Sequence, residues 1–221
     1  MHDSLALIET LRVRAGRIPL LEGHVARFER ARRALGLATP VPSLAALASS
    51  QVGAGDAILR IAVCNGRADS TVRPFVERDP PAVITAATPH TPYPHKTNRR
   101  DSFDSAALEA TEAGADDALL LTRDGAVAEG TTWSVFWWEG EILLTPALDL
   151  GVLESVARTR VLDLVPRAAA GTYPRRALTG RSVFLANAVR GVQAIARLDG
   201  APVPMDTRTD ALARVFWPAH T

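Results

Sequence analysis

The one lysine in this 221-residue chain, Lys96, stands among 24 arginines. At most exposed positions either cation serves, but the two differ where the nitrogen itself must react. A guanidinium stays protonated at biological pH, whereas a lysine amine can lose its proton and attack a carbonyl carbon. Lys96 is therefore the first residue whose type points to covalent chemistry. The other reactive types offer less. Cys64 is a single cysteine, so no internal disulfide is expected and a reducing compartment is implied. The histidines are His2, His24, His90, His95 and His220. His90 and His95 form the one close pair, in a proline-rich stretch with no cysteine or acidic cluster beside it, which argues against zinc, and no metal is expected. His24 falls on the inner part of a helical pattern and reads as a hydrogen-bonded structural histidine.

Several chemistries lack their motifs. There is no GxxxxGKS/T phosphate loop and no GxSxG elbow, and GAGDAI at Gly53 lacks the third glycine of a dinucleotide fingerprint. Hydrophobic residues make up 47% of the chain and charged residues 22%, with a net charge of +1. Those values suit one globular domain or two small lobes and exclude a disordered chain. So balanced a charge is a poor match for a polyphosphate backbone, and no nucleic-acid partner is expected. No apolar run is long enough to span a bilayer, and no basic-then-apolar signal opens the chain. A soluble, cytoplasmic protein without a membrane partner is the expectation.

The elements that must position Lys96 follow from periodicity and turn residues. Ser4 to Arg14 reads as a strand ended by Gly16. Leu20, Leu21, Val25, Phe28, Ala31 and Leu35 recur at helical spacing, predicting a helix from Leu20 to Leu35. A short helix from Ser43 to Ser50 has Ser43 as its cap. Strands over Ala57 to Cys64 and Ala68 to Val76 join at Asn65-Gly66, a hairpin dipeptide that tolerates positive φ. Another strand covers Ala82 to Ala87. TPHTPYPH, residues 88–95, carries three prolines in eight positions, which forbids helix and disrupts pairing. The reading is therefore a small N-terminal lobe over 1–87, a connector over 88–95 and a larger lobe over 96–221. The larger lobe opens with a helix from Ser102 to Ala113. Strands at Asp117 to Thr122, Thr132 to Trp138 and Glu141 to Leu144 follow, with a shorter one at Ala126 to Ala128. A helix from Leu153 to Leu164, strands at Ser182 to Ala186 and Gly191 to Leu198, and a helix after Asp206 complete an α+β chain.

Five spaced segments now carry a resemblance: IETLRV from Ile8, LEGHVARF from Leu21, HKTNRR from His95, AVAEGTTWSVF from Ala126 and LTPALDLGVLESVAR from Leu144. FLANAVRGV from Phe184 extends it. In this order they resemble the class IV, fold-type IV enzymes that use pyridoxal 5'-phosphate, a family of aminotransferases and lyases. The resemblance implies two lobes with the cofactor in the cleft between them, the C-terminal lobe bearing a barrel-like sheet. It implies that Lys96 holds the cofactor covalently through its amine. Glu129, placed just after the Ala126 to Ala128 strand, would face the pyridine nitrogen and keep it protonated. Arg27, three residues beyond His24, would bind the phosphate with planar paired donors. The LGVLESVAR stretch enters a helix whose free amides favour an anion, and the resemblance puts the Ser155 and Val156 amides on the phosphate, with Asn187 and Ala188 on a second loop. Three positions depart from the usual pattern: Ser155 replaces a glycine, Ser134 an asparagine, and Phe103 a frequent tyrosine.

The short segment before Ile8 and the HKTNRR motif resemble most the aminodeoxychorismate lyase branch, which yields 4-aminobenzoate and pyruvate. Lys96, freed by the substrate amine, would then take the proton from the carbon bearing nitrogen. Thr10 on the first strand is a candidate for polar work near the leaving group, and Arg99 or Arg190 for binding substrate carboxylates. The alternatives are a transaminase of branched-chain or D-amino acids and a cofactor-binding relative without turnover. The resemblance also implies a homodimer.

Overall fold

The computed structural model describes residues 4–37, 43–53 and 55–218; His2 and His220 lie outside them. The chain divides into two compact units. The first comprises residues 1–77, 95–99 and 217–221, and the second residues 78–94 and 100–216.

In the first unit, β1 (Leu7–Val13), β2 (Ala57–Cys64) and β3 (Arg67–Pro74) form an antiparallel sheet in that order. Asn65 and Gly66 take φ of 49° and 77°, the paired positive values a two-residue hairpin needs. Helices α1 (Leu21–Ala34) and α2 (Leu44–Ser49) cover one face of the sheet. Leu7, Leu11 and Val13 alternate inward on β1 and pack with Phe28, Ala31, Leu44 and Leu59. Ser43 caps α2 by accepting the Ala46 N–H at 3.1 Å, as its position before the helical run predicts. Residues 95–99 extend this sheet. The Ile8 N–H donates to the Lys96 carbonyl at 2.9 Å, and Leu7 bridges Thr97.

The second unit holds β4 (Ala82–Thr85), α3 (Asp101–Glu112), β5 (Asp117–Leu121), β6 (Val127–Gly130), β7 (Ser134–Glu139), β8 (Ile142–Pro146), α4 (Val156–Leu164), β9 (Ala168–Gly171), β10 (Val183–Asn187), β11 (Gly191–Ala194), β12 (Arg197–Leu198), β13 (Ala201–Pro202) and α5 (Thr207–Val215). They make two five-stranded sheets, ordered β11-β10-β7-β8-β9 and β13-β12-β4-β5-β6. The sheets share one core in which Val83, Leu119 and Val127 meet Val135, Trp137 and Leu185. The barrel-like sheet therefore takes the form of two sheets joined where the chain turns a corner. One corner lies at 131–133, where Asp117 accepts from the Thr131 N–H at 2.9 Å, the Thr131 hydroxyl at 2.9 Å and the Trp133 indole N–H at 3.0 Å.

The structure differs from the sequence reading at four points. The strand from Ala82 belongs to the second unit rather than an N-terminal lobe over 1–87, because β4 pairs in parallel with both β5 and β12. The Gly191 to Leu198 strand is two strands in different sheets, since the chain leaves one sheet after Ala194 and enters the other at Arg197. Glu129 lies inside a strand, β6, opposite Leu120 of β5. The 88–94 stretch is extended and belongs to the second unit, so the boundary falls between Pro94 and His95.

Candidate active site

In the first unit the side-chain alternation of β1 puts Glu9 on the same face as Leu7 and Leu11, toward α1. On α1, His24 and Arg27 are three residues apart and share a face. The three meet. Arg27 Nε donates to Glu9 Oε1 at 3.0 Å and its Nη2 donates to Oε2, while His24 Nδ1 lies 2.6 Å from Oε2. Glu9 is only 2% exposed, and burial by itself would raise its pKa; the Arg27 charge and the hydrogen bonds from His24 and Arg27 outweigh this and hold it at about 2. His24 moves the other way from its partner's pull. Burial lowers its pKa more than Glu9 raises it, and the charges of Arg27 and Lys96 push in the same direction as burial. A neutral imidazole facing an ionised carboxylate must carry its proton on Nδ1. Its Nε2 is then an acceptor, buried and without a partner.

Lys96 is half-buried, and its charge is felt at His24. Asn98 secures its backbone: the Asn98 side chain accepts from Ala6 N–H at 2.9 Å and donates to the Ser4 carbonyl at 3.1 Å, and its own N–H donates to Ala6 at 3.0 Å. The first unit thus brings together Lys96, Arg27 and His24. Thr10 points to the opposite face of β1 from Glu9 and is not part of this cluster.

In the second unit Glu129 is 5% exposed. Its Oε1 accepts from His90 Nε2 at 3.0 Å and from the Leu153 N–H at 3.1 Å. It lines a small cavity with Ser134, Thr145, Val152, Leu153 and Arg158. Gly151 (φ 77°) makes the turn toward α4, and a Cβ there would lie 2.6 Å from Pro92 Cβ. α4 begins at Val156 rather than Leu153 because the Leu153 amide is committed to Glu129 and Ser155 is the cap. The Ser155 hydroxyl accepts the Arg158 N–H at 2.9 Å and meets Ser134 Oγ at 2.7 Å. The serines that depart from the family pattern at 134 and 155 are therefore each other's partners. Capping spends the Ser155 hydroxyl on Arg158 and leaves the first-turn amides of Val156 and Ala157 directed out of the helix.

Arg158 is only 6% exposed; its Nη2 donates to the Pro146 carbonyl at 3.1 Å and its Nε lacks a partner. Burial lowers its pKa, against the pull of Glu154. Asn187 ends β10, and its side chain accepts from the Val189 and Arg190 N–H groups at 3.0 and 2.8 Å. That side chain shapes the turn holding Ala188. Phe103 is buried on α3 against Tyr93 and His90. The sequence does not mark Glu9 or Asn98 individually, and it offers His90 only as half of a close histidine pair. Their signal is partial: Glu9 and Asn98 lie in the IETLRV and HKTNRR segments, but His90 is linked to Glu129 across 39 residues.

The donor types fit pyridoxal phosphate. A lysine amine suits its aldehyde, a buried carboxylate its ring nitrogen, and an arginine with helix first-turn amides its phosphate. The partnerless Nε2 of His24 and Nε of Arg158 are buried polar atoms of the kind a bound group satisfies. Among the described residues no group of three or more His, Cys, Asp or Glu is placed to hold a metal ion, and no helix is long and apolar enough to cross a membrane.

Comparison with known proteins agrees with this chemistry. The aminodeoxychorismate lyase of Bacillus subtilis is 27% identical over an alignment covering 84% of this chain and 74% of its own. The branched-chain aminotransferase of the archaeon Thermoproteus uzoniensis, solved with norvaline, superposes at a TM-score of 0.86 with 19% identity, covering 96% of this chain and 84% of that one. A hypothetical aminotransferase from Mycobacterium tuberculosis in its PLP-bound form superposes at 0.84 with 21% identity, covering 96% and 87%. The family model for amino-transferase class IV matches residues 6–198. The chain belongs to the class IV amino-transferase family, whose members are pyridoxal-phosphate-dependent aminotransferases and lyases.

Proposed function

We propose that the protein is a 4-amino-4-deoxychorismate lyase, releasing pyruvate and 4-aminobenzoate. The observation that carries this reading is the similarity to the Bacillus subtilis lyase over 84% of the chain. Bound pyridoxal phosphate supplies an electron sink for the pair left on carbon when a proton departs. The chain's own groups do the rest. Lys96, as a neutral amine, would hold the cofactor covalently and, once the substrate amine displaces it, would be free to take the proton from the carbon bearing nitrogen. Glu129 would face the ring nitrogen, where a carboxylate would favour its protonated form. Arg27, whose Nε and Nη2 are fixed by Glu9, offers Nη1 to the phosphate. The amides of Ser155, Val156 and Ala157, and those of the Asn187–Ala188 turn, complete its binding. Release of the enolpyruvyl group leaves an aromatic ring, so the protein chiefly has to orient and move protons. A homodimer acting in the cytoplasm accompanies this reading.

A transaminase would use Lys96, Glu129 and Arg27 in the same places, and the fold shared with the Thermoproteus uzoniensis enzyme keeps it in view. One experiment separates them. Purified protein is loaded with pyridoxal phosphate, reduced with borohydride and mapped by mass, then a second unreduced sample is given aminodeoxychorismate. One reduced cofactor on the Lys96 peptide, with 4-aminobenzoate formed in the absence of any 2-oxo acid, supports the lyase. Turnover that requires a 2-oxo acid and yields no 4-aminobenzoate replaces it with the transaminase. A colourless protein with no added mass overturns both.

A further inference from the structure

We propose that His90 is a positioning residue that keeps Glu129 ionised and aims its carboxylate, and so sets the protonation of the pyridine nitrogen that Glu129 serves. The proposal rests on the pyridoxal-phosphate reading above. A carboxylate as buried as Glu129 is driven toward its neutral form unless donors hold its charge. Two donors converge on one oxygen, the His90 Nε2–H and the Leu153 N–H, which fixes the carboxylate plane. Because an ionised carboxylate only accepts, His90 must carry its proton on Nε2.

His90 is itself 5% exposed and held from several sides. Its N–H donates to the Leu121 carbonyl at 2.7 Å, and its ring stands edge-on to Phe103 at 5.7 Å and 85°. The surrounding stretch is pinned by Glu109, which accepts the Thr88 N–H at 3.0 Å, and by Tyr93 N–H donating to Gly151 at 2.7 Å. Pro89, Pro92 and Pro94 stiffen it further. The other ionisable group lining the cavity beside Glu129 is Arg158, and its Nη2 is committed to Pro146. Loss of the His90 donor takes from Oε1 a hydrogen bond that the Leu153 amide does not replace.

The test is a nitrogen-15 spectrum of pyridoxal phosphate labelled at its ring nitrogen and bound to the wild type, to His90→Phe and to His90→Gln. The glutamine amide can reproduce the Nε2–H donor; phenylalanine keeps the packing on Phe103 and loses the donor. The expected result is a protonated ring nitrogen in the wild type and in His90→Gln. His90→Phe should show an unprotonated one and bind the cofactor roughly ten- to a hundredfold more weakly, the worth of a hydrogen bond to a charged group. An unchanged signal and affinity in His90→Phe overturns the proposal. Should that variant fail to fold by circular dichroism, His90→Asn, whose amide is too short to reach Glu129, gives the same reading. A wild type that takes up no pyridoxal phosphate at Lys96 overturns the cofactor reading itself, and this proposal with it, before any variant is compared.

Discussion

Glu9 must take up a proton before the first unit can come apart in acid, and its neighbours oppose that. Its pKa of about 2 lies below the ordinary 4.5, so the stability it contributes is full above the unfolded value and drains as pH falls toward 2. The amount is on the order of 3 kcal/mol. His24, with a lowered pKa, adds to the trend from further up: its contribution is complete above its ordinary 6.5 and declines below it. Protection factors of the β1 amides, corrected for the intrinsic exchange rate at each pH, should therefore fall between pH 6 and pH 3, and denaturant midpoints should follow. Glu9→Gln, which strands the Arg27 charge in the interior, should cost about 3–5 kcal/mol at neutral pH by chemical denaturation. Residues at this scale differ in how openly the sequence shows them. Lys96 is visible because it is alone of its kind. Glu9 and His90 are not, because their meaning lies in partners 15 to 39 residues away, a distance that no local pattern encodes.

At the scale of elements, the start of α4 gathers several constraints into five residues. Gly151 combines a left-handed φ with a contact that a Cβ would bring to 2.6 Å from Pro92. Gly151→Ala should lower stability by more than the ~1 kcal/mol of a simple conformational penalty and shift the Tyr93 stretch, read by thermal melting and cofactor affinity. Ser155→Ala removes a cap and should cost about 1 kcal/mol in the same melt. Elements defined by local rules were legible: α1, α2 and β2 fall within a residue or so of their patterns, because an amphipathic stripe, a serine cap and an Asn-Gly turn each carry their own signal. Others were not. β9 (AAAG) has no alternation, and its parallel pairing with β8 comes from the tertiary fold. Gly191 to Leu198 looks continuous in sequence because leaving one sheet for another takes only Ile195 and Ala196.

For the whole molecule, the fold class and the family could be read from the ordered segments, but the division into units could not. A proline-rich stretch suggests a linker by composition; here it is a packed part of the second unit, held by hydrogen bonds to Leu121 and Gly151. The chain returns to the first unit midway for residues 95–99, and Asn98 fastens that return at both donor and acceptor. Asn98→Ala should therefore leave the sheets of the second unit intact while the amides of Ala6 and Ile8 lose exchange protection. Covalent loading of Lys96 by pyridoxal phosphate should slow by roughly tenfold, the value of one to two lost hydrogen bonds. Equal loading rates in the variant and the wild type would remove Asn98 from any part in presenting the amine.

The edge of β1 also has a consequence for the order in which the protein is made. Its sheet and both covering helices are complete within the first 77 residues, whereas the segment that pairs with the open side of β1 is synthesised later. A chain emerging from the ribosome amino end first can close this small unit on its own, leaving one strand edge bare. The lysine then arrives as a late addition that zips onto a finished template, so the reactive amine is installed only where a folded scaffold already exists to receive it.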